Sequence, residues 1–131
     1  MFHAISSVAL ARIAELSPQD LSIISWSFAT IECKDEPLLY SISAAASRRI
    51  DHFDPQHLAN TAWAYAVLGF ADETLLDAIS TASRRKIREL DLRNVSNTLW
   101  AYAVFTMGSR PLLDALASAA LARIAEAAPQ E

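Results

Sequence analysis

Glycine and cysteine are scarce in this sequence. Only two glycines and one cysteine occur among its 131 residues. So little glycine favours helices over turn-rich sheets and excludes a glycine-rich phosphate-binding loop. The single thiol, Cys33, excludes an internal disulfide framework and is compatible with a reducing compartment. The composition therefore predicts an all-α protein.

Strong charge and long apolar runs are also missing. Charged residues make up 20% of the chain and the formal net charge is −4. The bulk charge therefore does not point to a nucleic-acid partner. No apolar run reaches the roughly 18 residues that a membrane-spanning helix needs. We expect no membrane partner.

Catalytic and metal-binding patterns are absent as well. His3, His52 and His57 do not share a metal-ligand spacing with Cys33. The acid–histidine pairs near residues 51–57 have no serine or cysteine nucleophile beside them. We therefore expect a non-enzyme without metal, cofactor or small-molecule substrate.

What the chain does contain is a repeat of 37 residues. The three tryptophans, Trp26, Trp63 and Trp100, are spaced by this period, and Tyr65-Ala66 recurs as Tyr102-Ala103. A fixed period of this length is typical of a solenoid, in which each unit buries its apolar face against its neighbours. We predict an all-α solenoid of stacked helical hairpins.

The period divides the chain into three and a half units. Residues 1–16 are a partial unit, three units cover 17–53, 54–90 and 91–127, and residues 128–131 open a further unit. Neither end carries the polar cap that is usual for a terminal repeat. We therefore expect a single solenoid segment, 1–131, that belongs to a longer array.

Each complete unit is predicted to form two helices. In unit 54–90, Asp54 is a good N-cap for the first helix, and Gly69 suits a left-handed stop. The second helix begins after Asp72 and has an apolar stripe. In the last unit Gly108 lies two residues later than Gly69 does in its own, so we expect a remodelled connection there.

The first helix of each unit is apolar on nearly all sides. Such a helix is typical of an inner layer. Its alanines permit close approach of neighbouring helices, and we expect Trp63 and its equivalents to fill the remaining volume of the core.

The string PQHLANTAWAYA at residues 55–66 resembles the octotricopeptide repeat and the related heptatricopeptide repeat found beside RAP domains and in FAST-kinase-like proteins. Residues 91–105 and 17–31 resemble it too, although Ile23-Ile24 replaces Asn-Thr in the first unit. The resemblance covers the whole chain. It implies a mitochondrial or chloroplast factor for RNA stability, processing or translation that binds single-stranded RNA. No RAP domain is visible, so its nuclease-like activity is not implied.

Polar residues at the start of each inner helix differ between units, as a base-by-base code requires. They are Gln19, Asp20, Gln56, His57, Arg93 and Asn94. The alternative is ordinary first-turn capping. Asn60 and Asn97, beside the tryptophans, are candidates either for base contact or for bonding a neighbouring helix end.

Basic residues share a second repeat phase. This basic ladder consists of Arg12, Arg49, Lys86 and Arg123, with Arg85 beside it. Packed helices would space these charges by about 10 Å, so the row could follow a phosphate backbone. Alternatively, the cations complement helix dipoles in the last turn.

Two functions fit these features. The first is an RNA-binding solenoid module. The alternative is a protein-binding helical scaffold, which the net charge of −4 favours. Strong salt dependence of binding would distinguish the RNA-binding module from the scaffold.

Overall fold

Seven α-helices and three short 3-10 helices form the described part of the chain, residues 2–105 and 110–127, in a computed structural model. Within these ranges there is no strand, so the predicted all-α class is confirmed. The remodelled connection at Gly108 and the further unit at 128–131 lie outside the described residues. The α-helices are α1 (Phe2–Ala11), α2 (Pro18–Thr30), α3 (Glu36–Arg48), α4 (Pro55–Val67), α5 (Glu73–Arg85), α6 (Leu92–Phe105) and α7 (Arg110–Ala127), and the 3-10 helices are Ile13–Glu15, Ile50–His52 and Ile87–Glu89.

The helices are arranged in two layers. The inner layer contains α2, α4 and α6, with α4 packed between the other two, and the outer layer contains α1, α3, α5 and α7. Hairpins join α2 to α3, α4 to α5, and α6 to α7. The buried alanines of α4, including Ala59 and Ala62, let the inner helices approach closely. The predicted stack of helical hairpins is confirmed.

Side-chain caps fix where the helices begin. At α2, Asp20 donates its backbone N–H to Ser17 Oγ at 3.0 Å and accepts from the Ser17 N–H at 3.0 Å. The carboxylates of Asp35 and Asp72 cap α3 and α5, each accepting from the N–H three residues later at 3.1 Å. These bonds satisfy donors that a helix start leaves free. The helix start after Asp72 was predicted, and Ser17 and Asp35 are the equivalents, one unit earlier, of the predicted starts at Asp54 and Asp72.

The ends of α2 and α4 have the same left-handed geometry but different residues. Gly69 has φ 65° after α4, and Glu32 has φ 56° at the equivalent place after α2. In both turns the next N–H bonds the carbonyl five residues earlier, at 3.0 Å and 2.9 Å. The predicted left-handed stop at Gly69 is confirmed. Glu32 adopts the same conformation with a side chain, which is strained.

Tyr65 and Tyr102 are the largest fully buried side chains of the described residues. Tyr65 is fully buried and its hydroxyl donates to the Leu39 carbonyl at 2.7 Å. Tyr102 donates likewise to the Leu76 carbonyl. Each bond joins an inner helix to the outer helix of the preceding unit. Burial raises the pKa of both hydroxyls, and nearby carboxylates raise it further, so both remain donors at neutral pH.

The prediction that the tryptophans are core residues is wrong for Trp26 and Trp100, which are 45% and 46% exposed. Trp63 is partly buried and packs against the edge of the core. Two helical residues turn the chain by about 200°, so Tyr65 and Trp63 point to opposite sides of α4. The tyrosine takes the core position and the tryptophan is left on the open side of the inner layer.

We predict that Glu32→Gly stabilises the fold by about 1 kcal/mol, because glycine adopts positive φ without a steric penalty. The reciprocal change, Gly69→Ala, should destabilise by a similar amount, although the space around it is open. Urea unfolding of both variants checks this pair. Equal stability of wild type and Glu32→Gly would contradict it.

We predict that Tyr65→Phe costs about 1 kcal/mol at neutral pH, the net value of one hydrogen bond. Phe28 occupies the equivalent place in α2, so the ring fits. Because burial raises the native pKa above the unfolded value of about 10, this tyrosine's contribution is present below that pH and is lost as pH rises further.

Unfolding midpoints at neutral pH and near pH 11, just above the usual tyrosine pKa of about 10, measure this loss. Tyr65→Phe should lose less stability than wild type on alkalinisation. Tyr40→Phe, on the exposed face of α3, serves as the matched control. An unchanged pH dependence in Tyr65→Phe would contradict the assignment.

Candidate nucleic-acid interface

The open side of the inner layer, here called the inner face, carries an aromatic row. It is formed by Trp26 on α2, Trp63 on α4 and Trp100 on α6. The rings of Trp26 and Trp63 have centroids 6.3 Å apart at an interplanar angle of 29°. The exposed Trp26 and the partly buried Trp63 thus form an apolar strip across two units. Such a strip can stack on planar ligands.

Beside this strip is a depression of about 310 Å³, the inter-unit pocket, shared by three successive inner helices. Trp26 of α2 forms part of its wall. The pocket brings together four of the residues predicted from the repeat comparison with an aromatic ring and a carboxylate. Its lining residues are Trp26, Gln56, Asn60, Asp91, Arg93 and Asn94.

Asn94 is the buried polar group of this pocket. It is 9% exposed, and its amide is open to solvent at the pocket, because within residues 2–105 and 110–127 the buried side-chain polar atoms without a partner belong to Ser47 and Ser83. Its backbone is fully used, since its N–H donates to Asp91 Oδ1 at 2.8 Å and its carbonyl accepts from Thr98 Oγ1 at 2.7 Å. Those bonds fix the position of the side chain. Its amide is free to bond a ligand.

The equivalent residues of the earlier units are used for capping. Asp20 is part of the α2 capping box. The Nδ1 atom of partly buried His57 accepts from the Asp54 N–H at 3.3 Å. Gln19 is exposed, and Asn97 is partly buried outside the inter-unit pocket. RNA contact by these four candidates stays a prediction.

The basic ladder binds the protein's own backbone. Arg49 donates to the Leu16 carbonyl, Lys86 to the Phe53 carbonyl at 2.5 Å, and Arg123 to the Leu90 carbonyl at 2.7 Å. Each acceptor lies 33 residues earlier, in the connection that precedes an inner helix. The three cations therefore tie successive units together, a role that the repeat phase alone did not reveal.

The other two cations named with the basic ladder, Arg12 and Arg85, form ion pairs. Arg12 pairs with Glu15 at 2.6 Å, and Arg85 pairs with the Asp51 carboxylate. Both pairs are exposed, so each contributes little to stability. These contacts explain the spacing of the ladder without RNA, and phosphate binding by its members stays a prediction.

A second, apolar depression lies between α1 and α2. It has a volume of about 580 Å³ and is lined largely by aliphatic side chains, with Arg12, Glu15 and Asp20 at its edge. Ile5 and Val8 are exposed there. A patch of this kind suits an apolar protein segment. The apolar lining residues include Ile5, Val8, Ala9, Leu16 and Ile24.

Residues 2–105 and 110–127 contain neither a metal-binding cluster nor a membrane-spanning helix. No group of three or more histidine, cysteine or acidic residues is placed to hold a metal ion. No described helix is both long and apolar enough to cross a bilayer.

A family model described as RNA-editing substrate-binding complex 6 protein matches residues 1–130. No curated protein matches the chain. The family match overturns the resemblance to the octotricopeptide, heptatricopeptide and RAP-associated families, which was a wrong identification. The motif PQHLANTAWAYA combines a proline helix start with closely packed alanines. Any tightly stacked hairpin solenoid favours these features, so they report the fold and not the family.

We predict that Arg49→Met lowers the free energy of unfolding by about 1–2 kcal/mol, because the Leu16 carbonyl loses its charged donor. Arg48→Met is the matched control, since that neighbouring side chain is exposed and has no partner among the described residues. Urea denaturation measures both. Equal effects of the two changes would contradict the structural role of Arg49.

Proposed function

The chain belongs to the family of RNA-editing substrate-binding complex 6 proteins, and we propose that it binds single-stranded RNA on its inner face. A role connected with RNA follows from the family. The finer assignment rests on the surface of this chain. On that proposal, the solenoid positions an RNA strand across successive inner helices as part of an RNA-editing complex.

The exposed aromatic row is the observation that supports the proposal most. Trp26 and Trp100 leave nearly half of their surface open, although an indole normally favours burial. Stacking of a base on an aromatic side chain contributes about 1–3 kcal/mol and tolerates any sequence. Unpaired bases are accessible only in single strands, so the inner face suits single-stranded RNA.

Electrostatics contributes less to this binding mode. The formal net charge is −4, and three members of the basic ladder are held by backbone carbonyls. Arg93 is an exposed cation on the inner face itself. We therefore propose few phosphate contacts, supplemented by stacking and by bonds to base edges.

Protein binding is a second proposed function. The apolar depression between α1 and α2 offers aliphatic side chains to a partner segment. The family description names a complex, which agrees with protein partners. The two functions use different surfaces of the chain and are compatible.

Two further predictions remain part of the proposal. We propose a binding protein and not an enzyme, because no catalytic arrangement was found in the sequence. Location in a mitochondrion or chloroplast was inferred from the overturned resemblance, and it stays a prediction that cell fractionation can check.

We predict that the 131-residue chain binds fluorescently labelled single-stranded RNA in low salt, with an affinity that falls as salt rises. Trp100→Ala should weaken binding by about tenfold, the equivalent of losing about 1.4 kcal/mol of base stacking. Because this side chain is half-exposed, the melting temperature should change little. Fluorescence anisotropy measures the affinity and circular dichroism the melting.

Tyr40→Ala is the matched control, because it removes an exposed aromatic ring from the outer layer. It should leave RNA affinity unchanged. A folded wild-type chain that binds no RNA in low salt would refute the proposed function. Equal RNA affinity of Trp100→Ala and Tyr40→Ala would exclude stacking on the inner face.

A further inference from the structure

We infer that the inter-unit pocket holds one nucleotide of single-stranded RNA and favours a base with an exocyclic amino group over uracil. This inference rests on the proposed function and adds a specific subsite to it. The inner face as a whole would stack bases without regard to sequence. The pocket would read one of them.

The pocket has the dimensions and walls of a small-ligand site. Its volume of about 310 Å³ lies at the lower end of the range for such sites, about 300–1,000 Å³. Trp26 supplies an aromatic surface, and the polar groups come from α4 and from the start of α6. An aromatic wall next to several amides fits a planar, hydrogen-bonding ring.

Asn94 supplies the strongest argument for a ligand. Most of its side chain is buried and its backbone bonds hold it in place, while its amide opens into the pocket. The amide offers two N–H donors and one carbonyl acceptor, so it can pair with the edge of a base. Asn60 and Gln56 line the same depression and add further donors and acceptors.

Asp91 gives the pocket a preference among bases. Its carboxylate only accepts hydrogen bonds, and one of its oxygens is already bonded to the Asn94 N–H. Adenine, cytosine and guanine carry an amino group that can donate to the other oxygen. The Watson–Crick edge of uracil has no amino group, and its single N3–H donor lies between two carbonyl oxygens, which a carboxylate approaching that donor repels. Arg93, exposed at this site, is available to the phosphate.

The contact between inner helices one unit earlier, between α2 and α4, lacks these two asparagine amides. Ile23 stands there in the place of Asn60, and His57, whose Nδ1 accepts from a backbone N–H, stands in the place of Asn94. Of these two junctions, only the one between α4 and α6 therefore presents a pair of asparagine amides. This difference suggests Asn60→Ile as a substitution that tests the pocket, because isoleucine already occupies the equivalent position of the first unit.

The test compares Asn60→Ile and Asn94→Ala with wild type, using short labelled oligoadenylate, oligocytidylate and oligouridylate. Wild type should bind the adenylate and cytidylate more tightly than the uridylate. Both substitutions should weaken adenylate and cytidylate binding about tenfold, as for loss of a paired base contact. Uridylate binding should change much less.

The matched control is Ile23→Asn, which places the asparagine at the exposed equivalent position of the first unit. It should leave all three affinities unchanged. Asn60→Ile introduces the residue that the first unit already carries, so it tests the pocket even if Asn94→Ala fails to fold. Melting temperatures identify a misfolded variant.

A second measurement does not depend on strand length. Adenosine and cytidine monophosphates should quench the tryptophan fluorescence of wild type, and Asn60→Ile should reduce that quenching. Wild-type RNA binding that both pocket variants retain would overturn the pocket while leaving the proposed function intact. Equal affinity for uridylate and adenylate would overturn the base preference. Absence of all RNA binding would refute both proposals.

Discussion

The structure depends on bonds that each unit makes to the unit before it. Tyrosine hydroxyls on α4 and α6 reach carbonyls of the preceding outer helices, and cations at three unit ends reach carbonyls 33 residues earlier. Between these bonds, buried alanines let the inner helices pack closely. The contacts recur with the repeat, so the inner helices are held in a fixed register. That register determines which side chains meet on the inner face.

The same packing explains why the aromatic row is accessible. Tyr65 and Tyr102 occupy the core side of their helices and bond carbonyls there, and each tryptophan stands two residues earlier, about 200° around the helix. Trp63 and Trp100 therefore lie on the opposite side. Because α2, α4 and α6 are adjacent, polar residues from α4 and α6 then meet Trp26 in one pocket.

Local signals in the sequence were sufficient to predict where the helices begin and end. They were not sufficient to predict which side of each helix is buried. Ser17, Asp35 and Asp72 have the short polar side chains that cap helices, and Gly69 adopts the positive φ that ends one. An all-apolar helix, in contrast, does not show which aromatic residue is buried, and Trp26 and Trp100 were misassigned for that reason. The sequence also did not show that Asn60 and Asn94 line the same pocket, because that depends on how adjacent units stack. The bonds from the basic ladder to backbone carbonyls were not predicted, because the repeat shows which residues are equivalent and does not show which residues are in contact.

The inter-unit pocket has a consequence for folding cooperativity. Its walls come from α2, α4 and α6, so it exists only while both junctions between these helices are closed. A ligand bound there stabilises the closed junctions by mass action, by an amount that grows with the logarithm of the ligand concentration once it exceeds the dissociation constant. A bound nucleotide would thus hold the three inner helices together reversibly. RNA binding would then reduce local opening between the units.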